Sequence, residues 1–292
     1  MDITKYVAND IEEQKGVSFP VKAGLLERLF VKKALCSRIH ANPEDEFSIK
    51  SIGPNLEIIA DYEKKIRDRM AIDQPPFEDA LIVEKLRSRE YLLLNGHHRW
   101  AAAMRMGLKR VPIKIINCAS ESDIRKILEN SKHDKRATLD LDEVIIRPSD
   151  YEYLEKKAFS FPMSLRVKKR VRLGIPVLLY TLVRHGYDIW VYAADYYSID
   201  DVAKFFKMYS MHVDGIITGI SKKKQNKSEK AERMETLISN KYKTTLHIDD
   251  GMILETHGKE GDYSEYEINA PEQDWAKAAI AIIEEIEKNA GK

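Results

Sequence analysis

Residues Tyr91 to Ile116, YLLLNGHHRWAAAMRMGLKRVPIKII, decide the fold of the first half of the chain. The apolar run Tyr91 to Leu94 predicts a buried strand that stops before Gly96. His98 to Met106 has the composition of a helix, and Val111 to Ile116 predicts a further strand. The stretch therefore predicts a strand, a tight turn, a helix and a second strand.

The turn at Gly96 is a candidate anion site. A glycine after a buried strand allows close backbone approach, and the N–H groups that open the following helix attract anions. His98 and Arg99 stand beside that end, and an arginine can hold a phosphate through two hydrogen bonds. A plain packing unit, with His98 as a cap and Arg99 in a structural ion pair, fits the same residues, so both interpretations stay open.

This part of the chain, residues 30 to 118, resembles the ParB/sulfiredoxin fold. The matching residues are the turn, the alanines of the helix, its glycine end, the proline-containing strand and an upstream entry segment: Gly96-His97-His98-Arg99, Ala101-Ala102-Ala103, Gly107-Leu108, Val111-Pro112 and Ile39-His40-Ala41-Asn42-Pro43. The resemblance implies a small mixed α/β domain.

The form of the turn narrows the function that this resemblance implies. His97 stands where sulfiredoxins have their reactive cysteine and ParB-type nucleotidases have a glutamate, so sulfinic-acid repair is not expected. The Gly-His-His-Arg form is closer to free-serine kinases of the same fold. The resemblance then implies that Gly96, His97, His98 and Arg99 bind the phosphates of ATP, ADP or CTP. It also implies that an upstream glutamate, Glu44 or Glu46, is the base.

The second half of the chain places two aspartate pairs after apolar strands. Asp140 and Asp142 lie in the predicted strand Ala137 to Ile146, and Asp249-Asp250 follows the predicted strand Thr244 to Ile248. Strands and helices alternate here, which predicts a parallel sheet with crossover helices. Such sheets bind ligands beyond the carboxyl ends of their strands. The two pairs are therefore predicted to share one site if their strands are neighbours.

The charge of such a cluster needs compensation. Two carboxylates ~4 Å apart repel by about 4 kcal/mol at an effective dielectric constant of about 20. Bound protons or a cation must therefore compensate the negative charge of the site. Oxygen donors favour Mg²⁺. Acidic pairs at strand ends are also turn formers and helix caps, and either pair alone favours that interpretation. The two pairs together favour a metal site.

Residues 137 to 290 resemble the haloacid dehalogenase superfamily through Leu139-Asp140-Leu141-Asp142-Glu143-Val144 and His247-Ile248-Asp249-Asp250. The resemblance implies a Rossmann-like domain with a minimal cap. It implies Asp140 as the phosphorylated nucleophile, Asp142 as the general acid and base, and all four aspartates as Mg²⁺ ligands.

The same resemblance implies a lysine in the site, and at one position this sequence differs from the pattern of the family. Lys227, with Lys224 and Lys230 as neighbours, is the expected lysine that neutralises the nucleophile. Ala193 stands where the family has a serine or threonine. Loss of such a donor lowers a rate by about 10² to 10³.

The composition of the whole chain sets outer bounds. The 292 residues predict about two domains, which we place at 1–130 and 136–292. The formal charge of +1 argues against a uniformly basic nucleic-acid binder, although nucleic acid is not excluded as a partner. We see no secretory signal and no apolar run that could cross a membrane, so we expect a soluble, cytoplasmic protein.

Three functions follow from these patterns. The leading one is a Mg²⁺-dependent phosphohydrolase or phosphotransferase that works on a phosphorylated substrate through an aspartyl phosphate, joined to a nucleotide-binding domain. The second is an ATP- or ADP-dependent kinase for a small molecule such as free serine, in the first domain. The third is a non-catalytic nucleotide- or DNA-binding regulatory protein, which Ala193 favours.

Overall fold

The computed structural model of the chain describes residues 1–16, 19–87, 89–156, 169–219, 229–258 and 262–290. The chain forms two compact units, the first on Met1–Cys118 with Ser228–Lys230 and the second on Ala119–Lys227 and Ala231–Lys292. The division after Cys118 lies upstream of the 130–136 boundary that the sequence indicates, so residues 119–130 belong to the second unit. Both units combine helices with sheets, which confirms the mixed α/β class.

A five-stranded mixed sheet forms the centre of the first unit. Its strands are β1 (Lys32–Leu35), β2 (Ile39–His40), β3 (Leu81–Lys85), β4 (Tyr91–Asn95) and β5 (Arg110–Ile116). Their order is β1-β5-β3-β4-β2, with β3 parallel to β5 and antiparallel to β4. The turn after β4 therefore leaves the sheet beside its central strand.

The helices of the first unit are α1 (Ile3–Gln14), α2 (Leu25–Leu29), α3 (Leu56–Ala71) and α4 (His97–Arg105). The first two of these helices lie within the first thirty residues. The α4 helix packs against α3, and its small residues Ala101, Ala102 and Ala103 are fully buried. Trp100 donates its indole N–H to the carbonyl of Cys36 at 3.2 Å, which satisfies the polar atom of a buried ring.

A six-stranded sheet forms the centre of the second unit. The strands of the second unit are, in chain order, β6 (Lys135–Asp140), β7 (Ile146–Pro148), β8 (Lys169–Val171), β9 (Tyr187–Ala193), β10 (Gly215–Thr218), β11 (Thr244–Ile248), β12 (Met252–His257) and β13 (Asp262–Glu267). The strands β7 and β8 pair with each other in a separate two-stranded sheet, and the other six form the central sheet. The order is β10-β9-β6-β11-β12-β13. The first four are parallel, as the sequence predicts, whereas β12 and β13 form an antiparallel hairpin that it does not predict.

The helices of the second unit are α5 (Glu121–Asn130), α6 (Ile175–Arg184), α7 (Ile199–Met208), α8 (Glu229–Lys241) and α9 (Trp275–Ala290). The α5 helix begins with a capping box, in which Ser120 and Asp123 satisfy each other's backbone N–H groups. The apolar strand β9 is buried along its whole length. In the ranges that the structure describes, no helix has both the length and the apolar character needed to cross a membrane.

The predicted strand Ala137 to Ile146 is wrong beyond Asp140. The strand ends there, and Leu141–Ile145 form a wide helical turn. The cause is the Asp140 side chain, whose Oδ1 accepts the backbone N–H groups of Asp142 and Glu143, both at 2.8 Å. Asp140 therefore ends the strand, and Asp142 lies in the turn that Asp140 caps rather than in the same strand.

Candidate functional site

The Gly96 turn joins β4 to α4 in a conformation that only glycine adopts easily. Gly96 has φ +98°, in the left-handed region, and forms the N-cap of α4. A Cβ atom there would lie 2.6 Å from Leu81 Cδ2 and 2.9 Å from Arg99 Nη2. A side chain is therefore excluded, and the backbone comes close to both neighbours.

The guanidinium of Arg99 is held beside the first turn of α4. Its Nη1 donates to the carbonyl of Asp79 at 2.7 Å, and its Nη2 donates to Asn95 Oδ1 at 3.2 Å. These contacts use two of the five N–H groups of the side chain. A helix N-terminus and a fixed guanidinium side by side favour an anion, since both carry N–H donors and positive charge.

His97 lies inside the first unit rather than on its surface, with 4% of the residue exposed. Its Nε2 accepts the backbone N–H of Asn42 at 3.4 Å, and its Nδ1 lies 3.6 Å from Asp45 Oδ1. Burial lowers the pKa of His97 to about 4, against the raising effect of Asp45. His97 is therefore neutral near pH 7 and contacts the upstream segment, which differs from the direct phosphate contact that the resemblance implies.

His98 is half-buried at the second position of α4. Its Nε2 accepts the backbone N–H of Asn55, the residue that caps α3, at 3.3 Å. The ring of Phe47 meets it edge-on, with 5.1 Å between ring centroids. Burial lowers the pKa of His98 too, although Asp45 opposes the shift.

Glu44, the expected base, lies half-buried on the segment that His97 contacts. Its backbone N–H donates to Asn42 Oδ1 at 3.1 Å. Glu46, the alternative base, is exposed and opens a short 3₁₀ turn, Glu46–Ser48. The backbone of Glu44 is thus hydrogen-bonded to Asn42, the residue whose N–H His97 accepts.

A buried histidine that the sequence reasoning treats only as part of the entry segment is paired with acids. His40 Nδ1 lies 2.7 Å from Asp10 Oδ1, and its Nε2 lies 3.6 Å from Glu90 Oε2. Burial lowers the pKa of His40, but the hydrogen bond and charge of Asp10 outweigh it, so the net shift is upward. The feature of the sequence that could have indicated this pair is Asp10, which lies on the same buried face of α1 as Ile3 and Val7.

In the second unit, the structure brings Asp140 and Asp249 to neighbouring strand ends. The strands β6 and β11 are parallel partners, with Leu139 opposite Ile248. Asp140 is the last residue of β6, and Asp249 directly follows β11. In the sheet, β9 lies on one side of β6 and β11 on the other, so the chain connections run in opposite directions from this point. The carboxyl ends of β6 and β11 therefore form a topological switch point, the place where open α/β sheets bind ligands.

Basic side chains of the chain pair with the second aspartate of each predicted pair. Asp142 Oδ1 accepts from Lys169 Nζ at 2.7 Å and from the Tyr197 hydroxyl at 2.6 Å. Asp250 Oδ1 accepts from Arg172 at 2.5 Å and Arg147 at 2.9 Å. Arg172 is fully buried, holds Glu272 as well, and lies 3.9 Å from the Trp275 ring centroid. Asp142 and Asp250 are thus paired with cationic side chains of the chain, whereas Asp140 and Asp249 accept backbone N–H groups.

This arrangement does not fit the predicted Mg²⁺ site. Asp140 Oδ1 caps a turn, and Asp249 Oδ1 accepts the N–H of Asp250 at 2.8 Å. Among the described residues, no three or more acid, histidine or cysteine side chains are grouped as metal ligands. The burial of Asp140 still raises its pKa, partly offset by the two backbone hydrogen bonds.

The other residues predicted for the site of the second unit are Ala193 and one of three lysines. Ala193 is buried at the end of β9, opposite Thr218, whose hydroxyl donates to the carbonyl of Tyr197 at 2.7 Å. Lys227 and Lys224 lie outside the described residues, as does the side chain of Lys230.

Comparison with known proteins bears on the part of the chain around the Gly96 turn. Residues 69–131 match the family model of the ParB N-terminal domain. This confirms the ParB-like part of the sequence interpretation for those residues.

A stretch of 74 residues is 36% identical to an ATP-dependent L-serine kinase of Staphylothermus marinus, covering 24% of this chain and 27% of the kinase. The match thus spans about a quarter of the length of that relative. A crystal structure of the C-terminally truncated chromosome-partitioning protein ParB from Caulobacter crescentus, complexed with CTP-gamma-S, is similar at 26% identity, covering 30% of this chain and 43% of that chain with a TM-score of 0.24.

Proposed function

We propose that the first unit binds ATP at the Gly96 turn and transfers its terminal phosphoryl group to the hydroxyl of a small molecule, with free L-serine as the first candidate. The observation that carries the proposal is the Arg99 guanidinium, held at the start of α4 by Asp79 and Asn95. The partial similarity to an ATP-dependent L-serine kinase supports the choice of nucleotide and acceptor.

The residues of the turn supply what phosphoryl transfer needs from a protein, namely position and charge compensation. The N–H groups at the start of α4 and the remaining donors of Arg99 would bind phosphate oxygens. Gly96 keeps Arg99 close to the turn, because a Cβ atom there would lie 2.9 Å from Arg99 Nη2.

Glu44 is the proposed base. The acceptor hydroxyl would attack the terminal phosphorus, the bond to the bridging oxygen would break, ADP would leave, and the hydroxyl proton would pass to the Glu44 carboxylate. The Glu44→Gln variant would keep the size of the side chain and lose this proton acceptor. It should therefore bind ATP like the wild type and lose turnover.

Calorimetric titration of the full chain with ATP, ADP and CTP tests the binding step. Arg99→Met should weaken nucleotide binding by about 10- to 100-fold, the range expected for a charged hydrogen bond. Arg87→Met is the matched control, since Arg87 is exposed at the opposite end of β4 from Gly96. No binding of any of the three nucleotides by the wild type would end the proposal.

A second candidate concerns the second unit, where we propose phosphoryl transfer from a phosphorylated substrate to Asp140. The observation that favours it is the placement of Asp140 and Asp249 at neighbouring ends of parallel strands. Because the described carboxylates do not fit Mg²⁺ as placed, we derive no step through the metal. Phosphate release from a generic ester, measured with and without Mg²⁺ and lost in Asp140→Asn, would support this activity. Its absence would leave the unit a binding or regulatory module.

A further inference from the structure

A chain of hydrogen bonds ties the segment Asn42–Phe47 to one buried imidazole. His97 Nε2 accepts the backbone N–H of Asn42, and Asn42 Oδ1 accepts the backbone N–H of Glu44. Asp45 Oδ1 then accepts the N–H of Phe47 at 3.0 Å and folds the segment into a turn. The Phe47 ring returns to His97, with 5.4 Å between ring centroids.

The contacts of His97 fix its protonation state as well as its position. Since Nε2 accepts the backbone N–H of Asn42, the proton of the neutral ring is on Nδ1, the nitrogen that lies 3.6 Å from Asp45 Oδ1. The charged and titratable groups that face the ring are Asp45 and His98. Both ring nitrogens therefore face the upstream segment, Nε2 toward Asn42 and Nδ1 toward Asp45.

We propose that His97 is a positioning residue, which fixes the segment Asn42–Phe47, and with it Glu44, beside the start of α4. The inference rests on the proposed function only for the role of Glu44 as base; the positioning itself does not depend on it. A catalytic group displaced by about 1 Å loses about 10²-fold in rate. His97 therefore acts on turnover through Glu44, without touching the nucleotide.

Backbone amide exchange of the full chain measures the positioning directly. His97→Leu removes the acceptor and should speed exchange at the Asn42 amide, whereas His97→Gln offers an amide oxygen and should restore part of the protection. The matched control is His98→Leu, because His98 accepts from Asn55. It should expose the Asn55 amide and leave Asn42 protected.

Kinetics separate this role from a merely structural one. With L-serine as acceptor, His97→Leu should lower kcat by about 10²-fold while the Kd for ATP stays within about twofold, and His97→Gln should recover part of kcat. An Asn42 amide that stays protected in His97→Leu overturns the positioning role, whether or not the chain is a kinase. Absent kinase activity in the wild type defeats the proposed function alone, since the exchange result still decides the positioning.

A measurement on the wild type keeps the inference testable if His97→Leu does not fold. Long-range ¹H–¹⁵N correlation of the imidazoles should show His97 neutral, with the proton on Nδ1 and Nε2 bare. A proton on Nε2 would leave no acceptor for Asn42 and would overturn the inference.

Discussion

The buried imidazole of His97 predicts how the stability of the first unit depends on pH. Burial lowers the pKa of this side chain from 6.5 to about 4. Between those values the unfolded chain binds a proton that the folded chain does not bind, so the free energy of unfolding decreases as the pH falls through this window. At about 1.4 kcal/mol for each pH unit, the loss is about 3 kcal/mol at pH 4 relative to pH 7.

Urea unfolding of the full chain between pH 4 and pH 7 tests this magnitude. The indole N–H signal of Trp100, which is buried in the first unit, reports that unit alone. His97→Gln removes the titration and keeps a hydrogen-bond acceptor. Groups remote from His97 titrate equally in both proteins, so the difference in unfolding free energy between them should change by about 3 kcal/mol across the window.

Two results would refute the reasoning. Parallel curves for the wild type and His97→Gln would mean that His97 binds its proton equally in both states. An imidazole signal of His97 that titrates near 6.5 in the folded protein would show that the ring is not buried. His98→Gln should show a smaller change with the same sign, since His98 is only half-buried and its pKa is also lowered.

Three further predictions concern stability and are read from urea unfolding. Gly96→Ala should destabilise the first unit by about 2 kcal/mol or more, because a left-handed backbone and the contact with Leu81 both oppose a side chain; a cost near zero would contradict the φ of the turn. Arg172→Met should cost the second unit about 1.5 to 3 kcal/mol, since it removes the charged hydrogen bonds of a buried guanidinium to the half-buried Glu272 and the exposed Asp250; a neutral effect would show that the network is not formed. Ser120→Ala should cost about 1 kcal/mol by removing the α5 capping box, and Ser120→Asp, which can still cap, should not.

Much of the first unit was predictable because its signals are local. The strand, glycine turn, helix and strand of Tyr91 to Ile116 all form, within one residue of the predicted ends. The burial of His97 was not predictable, since it depends on Asn42 and Asp45, more than fifty residues upstream. Spacing along α4 cannot show that a distant segment covers its first turn.

In the second unit, the apolar pattern identified the parallel strands but not their surroundings. The apolar residues after Asp142 looked like continued strand, whereas a side-chain cap at Asp140 turns the chain there. The sequence also gave no sign that Lys169 would pair with Asp142, because that contact bridges 27 positions between separate elements. The sequence does not show the order of the strands in the sheet. The proximity of Asp140 and Asp249 could therefore be predicted only on the assumption that their strands are neighbours.

We propose above that the Gly96 turn holds a nucleotide whose terminal phosphoryl group moves to a small hydroxyl compound. Phosphorus NMR of the full chain with ATP and L-serine follows both products in one spectrum and tests this proposal most directly. We expect phosphoserine and ADP to appear in equal amounts, and we expect Arg99→Met and Glu44→Gln to lose this conversion while Arg87→Met keeps it. An unchanged ATP spectrum with the wild type, or conversion that survives in Arg99→Met, would contradict it.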